Sequence, residues 1–495
     1  MAEIALVNAN TIKPAIGPLG LEYIAEACRR PQAVAPRRHS TARRAGVEVE
    51  VIDLCFEEEP GAALKRRLAE TGPELVGITL RNSDNCFLAS SHSFIPELGQ
   101  MVAVAREATE APILLGGAGF AIAPGAIMNE VGAEYGILGD GEQAVQLLLR
   151  ALRGATDVRD VPGLLWREGD EVRGSPPAWP EISEQPGLQR DTVDNRAYFE
   201  HGGQIGLETK RGCDRHCIYC ADPVGKGRRV RLRSPRAVAD EIQSLLGQGI
   251  DVYHLCDSEF NLSEEHAEAV CEEVIRRGLG GKIRWYGYLS PRPFSKELAD
   301  LMRRAGCGGI NFGVDSGSDE MLARLGRDFS RADILEAARL CREREITVML
   351  DLLIGAPGET QQTASETIAM AKDADASCAG ISLGVRIYAG TSMASLVAAE
   401  GAMADNPALW GEAADNEDLL RPVFYLSPAL GTREEAADFL SEVIAGDARF
   451  FFGGSGDEDD YDYDDNPALV AAIADGARGA YWDILRQMRA SQAGA

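Results

Sequence analysis

The sequence predicts an α/β protein in which an N-terminal doubly wound parallel sheet precedes a partial (β/α)6 barrel and a mostly helical C-terminal region. Two observations predict this. Short apolar strands alternate with amphipathic helical stretches over residues 1–155, and a second series of the same kind runs over residues 201–395. Between them, residues 156–200 contain Pro162, Pro176, Pro177, Pro180 and Pro186 with little periodicity, which reads as a linker. Strand–helix alternation puts strands side by side in parallel, because each helix carries the chain back to the start of the next strand.

In the first series the strands fall at 4–8, 49–54, 75–80, 113–116 and 135–138, with helices at 19–28, 62–70, 95–108 and 143–152. Ligands of such sheets sit beyond the carboxyl ends of the strands. Those ends read Asn8-Ala-Asn, Arg81-Asn82-Ser-Asp84, Gly116-Gly117-Ala-Gly and Gly139-Asp-Gly141-Glu142, small or polar as a ligand-facing rim requires. The second series begins at Ile205-Gly-Leu-Glu-Thr and continues with strands at 252–256, 283–288, 309–314, 347–354 and 380–387, an incomplete relative of the eight-stranded barrel. Residues 396–495 form the helical region, with helices at 433–444 and 466–488 that are expected to cover the barrel mouth. Between these helices, residues 457–465 are acidic and read as a solvated loop, with a cation or basic-partner site as the alternative; Tyr461 and Tyr463 within them are candidates to reach the mouth. Residues 29–46 are basic, proline-containing and aperiodic where a short turn would suffice, and read as a surface insertion.

The net charge of −27 argues against general binding to nucleic-acid backbone, which needs clustered Lys and Arg. No apolar run approaches the roughly 20 residues of a membrane span. The first residues lack a basic stretch and cleavage site and read directly as a strand, so the expected location is cytoplasmic. Eleven cysteines in such a chain are expected to be free thiols. Eight are scattered through apolar segments, but Cys213, Cys217 and Cys220 lie within eight residues and need another explanation.

Gly212-Cys213-Asp-Arg-His-Cys217-Ile-Tyr-Cys220 places three soft thiolates on one loop after the first barrel strand. A cubane cluster needs such ligands, and three of them leave the fourth iron open to a small molecule. Structural zinc is the competing account. It normally takes four ligands in paired knuckles, yet no second CxxC occurs, and His216 sits awkwardly inside the loop.

With an aromatic residue, Tyr219, before its last cysteine, this motif resembles the signature of the radical S-adenosylmethionine (SAM) superfamily, whose unique iron chelates SAM. Further segments match in order. Asp257-Ser-Glu259-Phe resembles the motif facing the SAM amino group, and Gly313-Val-Asp315-Ser316-Gly the segment near the SAM ribose. Ile354-Gly355-Ala-Pro-Gly resembles the fifth-strand turn, and Arg386-Ile-Tyr-Ala-Gly the sixth-strand end near adenine. Asp257 and Asp315 are equally suited to capping a helix.

The first domain resembles the cobalamin-binding domain that precedes many radical SAM modules, through Leu6-Val-Asn8, Gly17-Pro-Leu19-Gly-Leu-Glu, Gly116-Gly117 and Gly139-Asp-Gly141-Glu142. Glycines let a flat corrin approach the backbone closely. A sheet for another nucleotide, or one that has lost its ligand, is the alternative. The Asp-x-His-x-x-Gly motif that supplies an axial His is absent, so Arg81, Asn82, Asp84 and His92 are the nearest candidates for the lower face of the cobalt.

These resemblances imply a [4Fe–4S] cluster, SAM and cobalamin as cofactors and an electron donor such as flavodoxin or ferredoxin. The implied reaction is reductive cleavage of SAM to a 5′-deoxyadenosyl radical and methylation of an unactivated carbon. Oxidative cyclisation or ring rearrangement with the same cofactors is the runner-up, and a non-catalytic cobalamin- or redox-responsive binding protein stands further off. Trp285, Tyr286 and Tyr288, with Arg292 just beyond, are candidate pocket residues, although aromatic strand residues more often belong to the core.

Overall fold

The computed structural model describes residues 2–30, 46–452 and 462–493. Most of the basic 29–46 segment therefore lies outside the described residues, as do Tyr461 and the start of the acidic stretch. The first sheet contains β1 (Ile4–Asn8), β2 (Val49–Asp53), β3 (Leu75–Thr79), β4 (Ile113–Gly116), β5 (Tyr135–Ile137), β6 (Leu164–Glu168) and β7 (Glu171–Gly174), ordered β2-β1-β3-β4-β5-β6-β7. The first five are parallel. β1 is buried on both faces: Ala5 and Val7 join one hydrophobic core, Ile4 and Leu6 the other. A continuous apolar run is what a strand covered by helices on both sides requires.

The hairpin β6–β7 corrects the expectation of an aperiodic linker, because it adds two antiparallel strands to the sheet edge. Its strands are too short, and too close to prolines, for a period-2 pattern to register.

The second unit begins with β8 (Ile205–Leu207), followed by the two-stranded ribbon of β9 (Lys210–Arg211) and β10 (Arg231–Leu232). Its main sheet continues with β11 (Val252–Leu255), β12 (Arg284–Leu289), β13 (Cys307–Asp315), β14 (Thr347–Ile354) and β15 (Cys378–Leu383). A separate small sheet comprises β16 (Val385–Arg386), β17 (Leu409–Gly411) and β18 (Val423–Tyr425), and β19 (Phe450–Phe452) follows. The main sheet is ordered β19-β15-β14-β13-β12-β11-β8, all parallel. It therefore has a seventh strand beyond the six expected, supplied by the C-terminal region. β19 is three residues long and carries no βα periodicity of its own.

The helix expected over 466–488 is two helices, Pro467–Ala474 and Tyr481–Ala493, parted at Gly476 and Gly479, which have φ of 98° and 148°. The second closes the barrel floor, where Trp482 packs with Tyr286, Met349, Cys378 and Phe451. The Tyr286 hydroxyl donates to Asp483 Oδ2 at 2.9 Å. Tyr286 thus belongs to the floor and Trp285 to the outer core, where its indole donates to the Ala305 carbonyl. Tyr288 alone of the three remains open, at 39% exposure.

Buried charges join the two units. Arg190 is 2% exposed and donates to Glu22 of the first unit at 2.9 Å and to Glu241 of the barrel at 2.9 Å. Arg233 donates to the other Glu241 oxygen at 2.8 Å. A buried pair with one partner removed leaves a charge that neither water nor protein satisfies. Arg190→Met is therefore expected to destabilise the protein by about 3–5 kcal/mol, measured as a fall in the urea midpoint at constant m-value.

Candidate functional site

The cluster loop leaves β9 through Gly212, whose φ of 87° and close approach to the Arg229 carbonyl leave no room for a side chain. The next residues fold tightly: the Cys213 amide donates to the Gly227 carbonyl at 3.1 Å, and the Cys220 amide to that of Cys217 at 3.3 Å. Cys213 is buried, and Cys217 and Cys220 are half-buried. Burial raises all three thiols, that of Cys220 to about 12, with the neighbouring Cys217 and Cys213 adding to it. The three sulfurs are therefore within electrostatic reach of one another and stay protonated until a cation displaces the protons. Among the described residues no trio of His, Cys, Asp and Glu closes round a single ion. Three thiolates on one loop fit a cubane, in which each binds its own iron.

Around this loop the acids predicted for SAM are held by specific partners. Tyr219 donates its hydroxyl to Asp315 Oδ2 at 2.6 Å, tying the loop to the end of β13. Asp257 accepts from the Thr209 amide at 2.8 Å, the Thr209 hydroxyl at 2.5 Å and the Lys210 amide at 3.2 Å. Its carboxylate therefore anchors the strand that enters the cluster loop. Glu259 accepts from Arg327 at 3.2 Å, with Arg215 at 3.8 Å; burial pushes its pKa up, opposed by both arginines. Its Oε2 is buried with no hydrogen-bond donor. Ser316 is fully buried, hydrogen-bonded to Thr367 and to the Ser318 amide. Gly355 receives the Ser427 amide at 2.8 Å.

Arg327 was missed by motif reading. It donates to Cys217 Sγ at 2.8 Å and also contacts Asp315. It follows a short helix outside every recognisable segment, so no local signal marks it.

On the first unit's rim the structure divides the expected residues. Asn8 donates to Asp53 and Tyr198, and Gly17 packs on the Tyr198 ring. Leu19 lies against Gly206 of β8. Asp84 pairs with Arg386 at 3.0 Å across the domain boundary. The Arg386 side chain is thereby committed to the interface rather than to an adenine, and the carbonyls of Ile387 and Leu419 take its other donors. Glu142 binds Arg211 at 2.7 Å, Gly139 faces Trp179, and Gly141 abuts Ile24. Asn82 supplies backbone against which Gly119 packs. His92 pairs with Glu97 on the surface.

What remains open suits a flat ligand. A side chain at Gly116 would meet no atom within 4 Å, while Gly117, at φ 104°, turns the chain tightly against Leu80. Arg81 Nη1 and Asn10 Nδ2 are buried without hydrogen-bond partners at the ends of β3 and β1. Such orphaned donors beside a bare glycine edge fit a corrin with polar side groups. The remainder of the acidic stretch docks here: Asp462 accepts from Asn85 at 2.9 Å, and Asp465 from the Lys13 amide at 2.9 Å. Tyr463 packs on Tyr481.

Between the two rims lies the barrel mouth. The rings of Tyr288 and His254 meet edge to face at 5.2 Å. Burial raises the Tyr288 phenol, with Asp351 adding to it and Arg81 opposing. Burial also lowers His254 to about 4, so its ring is neutral at physiological pH.

Facing rims, one with a bare glycine edge and one with three cysteines, suit a protein that holds two cofactors near one mouth. Comparison with known proteins agrees. Residues 5–149 match the B12 binding domain and residues 207–371 the Radical SAM superfamily. Tryptophan 2-C-methyltransferase of Streptomyces laurentii is 28% identical, over 99% of this chain and 97% of its own length. The structure of the radical SAM methyltransferase TsrM from Kitasatospora setae, with tryptophan and a SAM analogue bound, superposes with a TM-score of 0.88 at 31% identity, covering 99% of both chains. A second structure of that protein, with cobalamin and a [4Fe–4S] cluster, gives 0.86 at 29%. This chain belongs to the cobalamin-dependent enzymes of the radical SAM superfamily. It is a carbon methyltransferase whose cofactors are a [4Fe–4S] cluster, SAM and cobalamin. No helix among the described residues is long and apolar enough to cross a membrane.

Two outcomes follow. Cys217→Ala is expected to abolish the four-iron cluster, read as loss of its absorbance and of bound iron and sulfide. Because folding lowers the His254 pKa from 6.5 to about 4, the unfolded chain takes up a proton there first. Its contribution to stability should fall as pH drops from 6.5 towards 4 and then level off. His254→Gln should lessen that fall relative to the parent, measured by urea midpoints at pH 7 and 5.

Proposed function

We propose that the methyl acceptor is C2 of tryptophan or of a closely related indole. Support comes first from the end-to-end match to a tryptophan 2-C-methyltransferase, which leaves neither domain unaccounted for. The barrel mouth adds a physical reason. Tyr288 and neutral His254 offer flat walls to an indole, with Asp351 near the Tyr288 phenol. An anaerobic cyclase relative, by contrast, aligns over 48% of this chain and 40% of its own length, which favours methyl transfer over ring formation.

When bound, the cofactors supply the methyl group and the electron chemistry. The chain's own part is placement. The three cysteines hold the cluster, Tyr219 and Asp315 brace its loop, and Asp257 fixes the strand entering it. The Asp84–Arg386 pair holds the first rim over the mouth, while the C-terminal helix seals the floor against water. An external electron donor of the flavodoxin or ferredoxin type and a cytoplasmic location complete this reading. Eleven free cysteines suit a reducing compartment.

Incubating the reconstituted enzyme with reductant, tryptophan and SAM labelled in its methyl group should give tryptophan carrying label at C2. Product without label would favour cyclisation, and absence of tryptophan turnover would overturn the substrate assignment. Tyr288→Leu is expected to raise the tryptophan KM about tenfold, the loss of one aromatic contact worth roughly 1.4 kcal/mol.

A further inference from the structure

We propose that the Lys210 ammonium is the counter-charge of the iron–sulfur cluster, lying against its anionic face and favouring the reduced state. Lys210 is 1% exposed, and its Nζ has no hydrogen-bond partner. It opens the short strand that leads through Gly212 to Cys213, and Asp257 pins its backbone amide. The acids around it are engaged elsewhere: Asp257 with Thr209 and the Lys210 amide, Asp222 with Lys226 and Ser258, Glu259 with Arg327 and Arg215. No acid among the described residues forms an ion pair with Nζ. Its charge nevertheless acts on Cys213, Asp222 and Glu259, as well as on His266.

A buried ammonium without a partner is costly, so an anion is expected beside it. Three thiolates on an oxidised cubane leave one net negative charge, and one electron from an external donor makes it two. A fixed positive charge therefore stabilises the reduced cluster more than the oxidised one, and raises its potential. Arg327 differs, because its charge is shared among Cys217, Asp315 and Glu259. The other anion available is the SAM carboxylate. Lys210 lies three residues from a cluster ligand on the same strand and loop, which favours the cluster.

The test is an anaerobic redox titration of the reconstituted full chain by electron paramagnetic resonance, without and with SAM, alongside iron and sulfide counts. Lys210→Met should keep its iron but shift the midpoint negative, lowering the reduced-to-oxidised ratio about tenfold at the parent's midpoint, or about 59 mV for one electron. Lys210→Arg should stay near the parent. An unchanged midpoint in fully loaded Lys210→Met overturns the proposal. So does an unchanged midpoint with weakened SAM binding in equilibrium dialysis, which assigns Lys210 to the SAM carboxylate. Should Lys210→Met fail to take up iron, Lys210→Arg decides: keeping cluster and potential supports the counter-charge, and losing both overturns it. A parent protein with no reducible four-iron signal would instead undo the cluster assignment itself.

Discussion

Arg211 lies two residues before the first cluster cysteine, and its guanidinium reaches across the domain boundary to Asp140 at 3.2 Å and Glu142 at 2.7 Å. Within its own domain it binds Glu208 at 2.8 Å. Arg231, on the partner strand of the same ribbon, also holds Asp140. The cluster loop and the first domain's rim are thus fastened at one place. Two cofactors can act on one substrate only if their separation is held, and here charge pairs hold it. Buried ion pairs contribute little net stability compared with apolar packing, but they tolerate few alternative arrangements. This network is best understood as setting the geometry between the rims.

The same logic continues inward. Arg190, Glu22, Glu241 and Arg233 extend the charged seam through the linker, while Asp84 and Arg386 close it on the far side of the mouth. Between these fastenings lies the barrel mouth, and the floor below it is apolar. Buried charge near the cluster is arranged in alternation: cations at Arg327 and Lys210, acids at Asp315 and Glu259. Low polarisability makes each of these interactions stronger than it would be in water. Tyr219, whose hydroxyl meets Asp315, shows how an aromatic in the signature brings a second strand to bear on the loop.

The rim residues of the first domain have separate roles. Asn8, Asp84, Gly139 and Glu142 have the small or polar character of a ligand rim. Asp84 and Glu142 pair with arginines of the second domain, and Asn8 and Gly139 meet Tyr198 and Trp179 of the connecting segment, leaving Gly116, Arg81 and Asn10 as the open edge. A polar strand end facing a ligand and one facing another domain use the same residue types.

The amino-acid sequence by itself determined the parallel strands and the cluster loop, because strand periodicity and the CxxxCxxC spacing are local, while the pairing of two cofactor domains followed from the resemblance of those motifs to a known family. Ile4–Asn8, Ile113–Gly116 and Arg433–Ile444 have the expected bounds. Tertiary structure alone decided the seventh barrel strand, the β6–β7 hairpin, and the attachment of Arg327 and Arg211 to the cluster loop. Arg327 lies 110 residues from Cys217, and Arg211 lies 71 and 69 residues from its partners Asp140 and Glu142. Contacts between residues so distant along the chain leave no periodic trace, since they arise only when the barrel strands assemble or the two rims meet.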